Sequence, residues 1–156
     1  MGMRASLREV REGDLTRLSD RNQVYGLFAR DDPAALSLEK SWDGLHRLLT
    51  AAGHETELGF LVGGGTEVGV PLSYGRPRLL SADFVRRLDS ALRGITDDQF
   101  WSGFDPQQFE ADGVYPGIWD ESPDDLREEY VPYLHELRQF VGRVAASGGQ
   151  IVVVIL

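Results

Sequence analysis

The chain has 156 residues, of which 42% are apolar and 26% charged, which predicts one soluble globular domain spanning residues 1–156. Its formal net charge of −9 is opposite to what nucleic acid and anionic membrane surfaces attract, so neither is an expected partner. The absence of cysteine excludes disulfides, thiolate catalysis and cysteine-based metal sites. The chain has no apolar run near the ~20 residues of a membrane span and no signal pattern at its start, so we expect a cytoplasmic location.

The first half of the chain alternates between strand and helix patterns. Period-two alternation over residues 3–8 predicts a half-buried strand with Arg8 on its solvent face, and two short helices follow within residues 12–30. Residues 37–50 predict an amphipathic helix, capped by Ser37, whose apolar stripe recurs at spacings of four, three and four: Leu38, Trp42, Leu45 and Leu49.

Glycines 63–65 form a loop that could cradle phosphate or simply make a turn. No helix follows them, and the Gly-Lys-Ser/Thr ending of a phosphate loop is missing. We therefore predict a turn with positive φ angles.

The second half predicts helices and a final buried strand. Ser81 caps one helix, and Thr96 with Gln99 has the form of a capping box for the next. Residues 106–120 predict an irregular, aromatic-rich coil, and Ser122-Pro123 predicts the start of a long helix that Pro132 should kink or split. The six apolar residues 151–156 predict a strand inside a sheet. We therefore predict an α+β fold in which the first and last strands share a small mixed sheet with helices packed on it.

Several motifs of this sequence, in the order in which they occur, resemble those of a known family. They are Met-Gly-Met at the start, the central helix motif of residues 40–49, Gly63-Gly64 with Gly69, residues 74–80, Phe104-Asp105, and the Tyr-Pro-Gly-Ile-Trp-Asp motif of residues 115–120. Over essentially the whole chain, the sequence resembles the YfbM-like family of bacterial proteins of unknown function. This resemblance implies a single α+β domain from a bacterial cytoplasm, and it implies no activity, cofactor or catalytic residue.

One group of residues could form a site if the aromatic coil folds over the central helix. Trp42 and His46 stack on one helical face because they are four residues apart, and Asp43 lies on its flank. An imidazole oriented by a carboxylate is a minimal general base, so the candidate catalytic residues are His46, Asp43 and Asp120. The candidate ligand-binding residues are the surrounding aromatic side chains: Trp42, Tyr74, Tyr115 and Trp119.

A structural explanation of the same residues is also available. Trp42 lies on the apolar stripe and fits a core position, while Asp120 could bind backbone N–H groups of the following helix. Asp43 and Arg47 are spaced for a solvent-facing ion pair. The three histidines lack metal-ligand spacing, so we predict no metal site and no cofactor.

Three classes of function remain open at this point. The first, which we favour, is a non-catalytic binding or protein-interaction module, such as an acidic partner of a basic protein in the manner of immunity proteins and antitoxins. The alternative is an enzyme that uses a His–carboxylate pair in an aromatic pocket on a small molecule. The third is a structural or oligomeric role, which an exposed patch at Trp101 or Phe109 would favour.

Overall fold

The computed structural model describes residues 2–156, so Met1 of the Met-Gly-Met motif lies outside the described residues. Within these described residues, five strands and seven α-helices follow one another, with a 3₁₀ turn at Thr56–Gly59. The strands are β1 (Ala5–Glu9), β2 (Ala35–Glu39), β3 (Thr66–Glu67), β4 (Arg78–Leu80) and β5 (Ile151–Ile155). The helices are α1 (Asp14–Arg17), α2 (Arg21–Leu27), α3 (Trp42–Ala52), α4 (Ala82–Arg93), α5 (Asp97–Ser102), α6 (Pro106–Ala111) and α7 (Pro123–Ala146).

The five strands form one sheet in the order β2-β1-β5-β4-β3. The fold is α+β, and the prediction that β1 and β5 share a sheet is confirmed. The sheet is not mixed, however, because all four strand pairings are antiparallel. Parallel neighbours need a long connection, but a long connection also allows antiparallel ones. The helical connection between β4 and β5 is of the second kind, because β5 runs antiparallel to β4.

Strand β5 separates two hydrophobic cores. Ile151 and Val153 face the larger core, beneath α3, α4, α5 and α7, whereas Val152 and Val154 face a smaller core beneath α1 and α2. Alternate side chains of a strand point to opposite faces, so a strand without polar residues is stable only where both faces are covered. The prediction of an interior strand is confirmed.

The predicted central helix begins five residues later than expected. Residues 35–39 form β2, which pairs with β1, and α3 begins at Trp42 with Ser41 as its N-cap residue. Leu38 is therefore buried from a strand, and its spacing of four from Trp42 does not reflect a shared helix. The apolar spacing of this segment is compatible with a helix or a strand, and pairing with β1 makes it a strand.

The coil predicted at residues 106–120 begins as a helix. Asp105 accepts hydrogen bonds from the backbone N–H groups of Gln107 and Gln108 at 3.1 Å, and Pro106 occupies the first helical position of α6. This N-cap followed by proline is the same signal that correctly predicted the start of α7. Helix α7 is not split at Pro132.

Most local signals for caps and turns are confirmed. Ser81 accepts a hydrogen bond from the Phe84 N–H at the start of α4, and Thr96 with Gln99 forms the capping box of α5. Gly64 and Gly65 have positive φ angles of 84° and 72°, as a tight turn requires.

Strand β1 is buried on both faces, not half-buried. Ser6 is 1% exposed and Arg8 is 7% exposed, because α1 and α2 cover the face predicted to meet solvent. The Arg8 guanidinium is held by Asp14 at 2.8 Å and Asp32 at 2.7 Å, and it also donates to the Leu27 carbonyl at 2.9 Å. This network compensates the loss of hydration of a charge placed beside the smaller core.

Replacing Asp14 by asparagine should lower the free energy of unfolding by about 1–3 kcal/mol, because it removes one of the two carboxylates that compensate a buried guanidinium and leaves Asp32 as the other. Urea denaturation measures this change. The control, Arg30→Gln, breaks the exposed pair between Arg30 and Glu39 and should cost less than about 1 kcal/mol. Equal losses in the two variants would contradict the structural role of the Arg8 network.

Candidate functional site

The aromatic coil contacts the N-terminal half of α3 directly. The Asp43 carboxylate accepts a hydrogen bond from the Tyr115 backbone N–H at 3.0 Å, and the rings of Trp42 and Tyr115 lie 6.1 Å apart. Arg47 pairs with Asp112, so the predicted pair between Asp43 and Arg47 is not formed. Both charged side chains of α3 instead hold the coil in place.

Trp42 joins this contact to the sheet. Its side chain is 8% exposed, and its indole N–H donates to the Met3 carbonyl at 3.3 Å, just before β1. The first turn of α3 packs closely on α7, since a Cβ atom on Gly44 would lie 2.8 Å from the Tyr130 ring. A side chain larger than hydrogen at position 44 would force these helices apart.

Trp119 is primarily a core residue. It packs edge-on against Phe109 with ring centres 4.9 Å apart and lies 5.8 Å from the Tyr130 ring, and its indole N–H donates to the Val114 carbonyl at 2.7 Å. Phe109 is buried and Trp101 stacks on Phe104 at 4.5 Å. The aromatic residues of the coil therefore pack against other aromatic rings inside the larger core.

His46 has no carboxylate partner among residues 2–156. Its Nδ1 atom is buried without a hydrogen bond, and neither Asp43 nor the exposed Asp120 reaches the ring. Burial lowers the pKa of the His46 imidazole below its ordinary value, with Asp43 opposing the shift and Arg47 adding to it. A His–carboxylate hydrogen bond occurs elsewhere, between His135 and Asp97 at 2.8 Å, where Arg138 also binds Asp97 and ties α5 to α7.

Five of the seven predicted residues line cavities, and they are divided between separate ones, whereas His46 and Asp43 line none of the cavities described here. Trp42 and Tyr74 line a cavity of about 250 Å³ together with Arg76 and Arg78; we call it the arginine cleft. A wider, open cleft of about 590 Å³, the acidic cleft, is lined by Pro106, Gln107, Glu110, Ala111, Gly117, Trp119 and Asp120. Tyr115 lines a neighbouring cavity of about 160 Å³ that shares Trp119 and Glu110 with the acidic cleft. Among these described cavities, none contains both Trp42 and Trp119.

The sequence contains a charge signal that motif-based reasoning missed. Residues 94–126, the acidic segment, contain no lysine, arginine or histidine and nine acidic residues: Asp97, Asp98, Asp105, Glu110, Asp112, Asp120, Glu121, Asp124 and Asp125. Elsewhere the 16 remaining acidic residues equal the 16 basic residues, so the whole net charge of −9 belongs to this segment. A running sum of charge along the chain would have found it.

No group of three or more His, Asp or Glu side chains within residues 2–156 is arranged to hold a metal ion. No helix within that range has the length and apolar character needed to cross a membrane.

The fold and the motifs place the chain in a family. It belongs to the family described as a domain of unknown function, DUF1877, whose model matches residues 1–154. The structure is similar to the crystal structure of YfbM from Escherichia coli, a protein of unknown function, with a TM-score of 0.72 and 18% sequence identity over 98% of this chain and 99% of that one. At this identity the likeness shows a shared fold, and together with the family match it confirms the resemblance to the YfbM-like family. No curated protein sequence matches the chain.

The His46 ring should titrate below the ordinary histidine value of about 6.5, because its surroundings disfavour the imidazolium. The unfolded chain then binds a proton at higher pH than the folded chain, so stability is lost as pH falls through about 6.5 toward the folded-state pKa. NMR titration of the His46 ring measures the pKa, and His46→Gln should flatten the fall in unfolding free energy in that window. A His46 pKa at or above 6.5 would contradict this assignment.

Proposed function

We propose that the protein is a non-catalytic protein-interaction module that binds a basic partner through the acidic segment. The observation that carries the proposal is the confinement of the entire net negative charge to residues 94–126. An excess of unpaired carboxylates along this segment would create a field that attracts positively charged surfaces. The bacterial cytoplasm that the family resemblance implies is part of the same proposal.

The acids of this segment divide into those with cationic partners and those without. Asp97, Asp98 and Asp112 are paired with side chains of α3 and α7. Apart from Asp105, which caps α6, the other acids of the segment have no cationic partner among residues 2–156: Glu110, Asp120, Glu121, and Asp124 and Asp125 in the first turn of α7. These five carboxylates are available to a partner without breaking any ion pair of the fold.

The acidic cleft offers a place for a cationic side chain. Glu110 and Asp120 both line it, while Trp119, Pro106 and Ala111 provide apolar surface. An arginine or lysine side chain combines an apolar stem with a charged head, and this combination suits an apolar surface flanked by carboxylates. The cleft would therefore receive a side chain of the partner, and the surrounding carboxylates would orient its surface.

Charge complementarity of this kind acts mainly on association rate and selectivity. Immunity proteins and antitoxins illustrate the class of acidic protein that neutralises a basic one. The alternative, an enzyme with His46 as base and Asp43 or Asp120 as its orienting group, has less support, because its imidazole lacks the hydrogen bond to a carboxylate that this chemistry uses.

An arginine-rich peptide is a defined probe for this surface. The triple variant Glu110→Gln, Asp120→Asn, Glu121→Gln should weaken peptide binding by about tenfold or more at low salt, because it removes three unpaired carboxylates around the acidic cleft. Fluorescence anisotropy with a labelled peptide measures the affinity. Raising the salt from about 50 to 300 mM should reduce the difference between the variant and the unmodified protein.

A second triple variant with the same change in charge provides the matched control. Glu12→Gln, Asp31→Asn and Glu136→Gln replace exposed acids outside the acidic segment that make no ion pair among the described residues. This variant should bind the peptide within about twofold of the unmodified protein. If both triple variants lose affinity equally, overall charge and not the acidic segment controls binding, and the proposal fails.

A further inference from the structure

The arginine cleft lies at the end of the sheet where β4 stops pairing with β5. Its apolar wall includes Trp42, Leu61 and Val62, and Tyr74 stands at its rim with 52% of its surface exposed. The charged groups at the cleft are Arg76, Arg78 and Glu67. A protein with an excess of acids thus presents two guanidinium groups beside two aromatic rings in one small cavity.

The two arginines have no ion-pair partner within residues 2–156. Arg78, which is partly buried, donates to the carbonyls of Phe60 at 2.7 Å and Gly64 at 2.9 Å, and Arg76 donates to the carbonyl of Gly69 at 2.7 Å. A guanidinium carries five N–H donors, so each group retains donors beyond these contacts. Glu67 faces Arg78 across the β3–β4 pair and yet forms no ion pair with it.

The backbone of β5 adds one more donor. Leu156 and Arg4 exchange both of their hydrogen bonds, so the N–H of Ile155 points away from β1 toward the side of β4. The last pair between β4 and β5 joins Arg78 to Val153, which leaves no β4 residue opposite Ile155. The amide edge at Ile155, which lines the cleft, therefore remains open to a ligand.

We propose that the arginine cleft binds a small carboxylate that carries an apolar or aromatic body. The carboxylate would accept hydrogen bonds from Arg78 and Arg76, and its body would lie between Trp42 and Tyr74. The cavity of about 250 Å³ is smaller than typical drug-sized sites of about 300–1,000 Å³, so the ligand is small. Burial also lowers the pKa of Arg78, and a bound anion would compensate this loss of hydration.

Glu67 selects a single negative charge. Its carboxylate lines the same cleft and would repel the second charge of a phosphate monoester, whereas a monoanion meets two arginines and one acid. The proposal concerns a surface separate from the acidic segment, and its outcome does not depend on the proposed function. The charge signs of the two clefts are opposite, so they suit different ligands.

NMR titration with 3-phenylpropionate tests the site, with 3-phenylpropan-1-ol as the uncharged analogue and phenyl phosphate as the dianionic one. We expect millimolar binding of the carboxylate, with amide shifts concentrated at residues 74–76, 78 and 153–155, and binding of the alcohol and the phosphate at least about fivefold weaker. Equal binding of the alcohol, tighter binding of the phosphate, or shifts located elsewhere would each overturn the proposal.

Two exposed positions provide variants that leave the core intact. Arg76→Gln and Tyr74→Ala should each weaken 3-phenylpropionate binding by about fivefold, because they remove a donor and an aromatic contact at the rim. The matched control is Arg21→Gln, an exposed arginine of α2 outside the cleft, which should leave the affinity unchanged. If Arg21→Gln weakens binding as much as Arg76→Gln, general charge and not the cleft holds the ligand, and the proposal is wrong.

Discussion

The fold depends on the burial of β5 from both sides. Its five residues are all apolar, so neither face can meet water without a large loss of hydrophobic free energy. The chain covers one face with α3, α4, α5 and α7 and the other with α1 and α2, and it places β1 and β4 along the two edges. The buried ion pairs of Arg8 follow from the same arrangement, because helices that cover the second face also enclose the polar face of β1.

Local signals in the sequence predicted an element correctly where a single short-range interaction determines its structure. The capping box at Thr96, the N-cap at Ser81 and the apolar run of β5 each predicted their element correctly. Prediction failed where a distant partner decides. Residues 35–39 have a spacing compatible with a helix, but pairing with β1 makes them a strand, and Arg8 looks solvent-exposed until α1 and α2 are placed over it. Helix α6 is a different case, since Asp105-Pro106 is a local signal that was overlooked.

The candidate site shows the same division. The contact between α3 and the aromatic coil was predicted from residue types, and Asp43, Trp42 and Tyr115 make it. The sequence could not predict which cavity each aromatic ring would line, because this depends on packing among elements far apart in the chain. Trp119 is enclosed by Phe109 and Tyr130, whereas Trp42 shares a cavity with Tyr74 from a separate loop. The result is two clefts of opposite charge in place of one pocket.

The pairing of β1 with β5 has a consequence for the order of folding. These neighbours in the sheet are separated by more than 140 residues, and the central position belongs to the last of the five strands in chain order. Until β5 is in place, β1 and β4 have no strand between them, and the apolar faces of the amphipathic helices have no complete sheet to cover. Closing so long a loop costs entropy before its contacts form, so we expect the central pairing of the sheet to be a late step in folding.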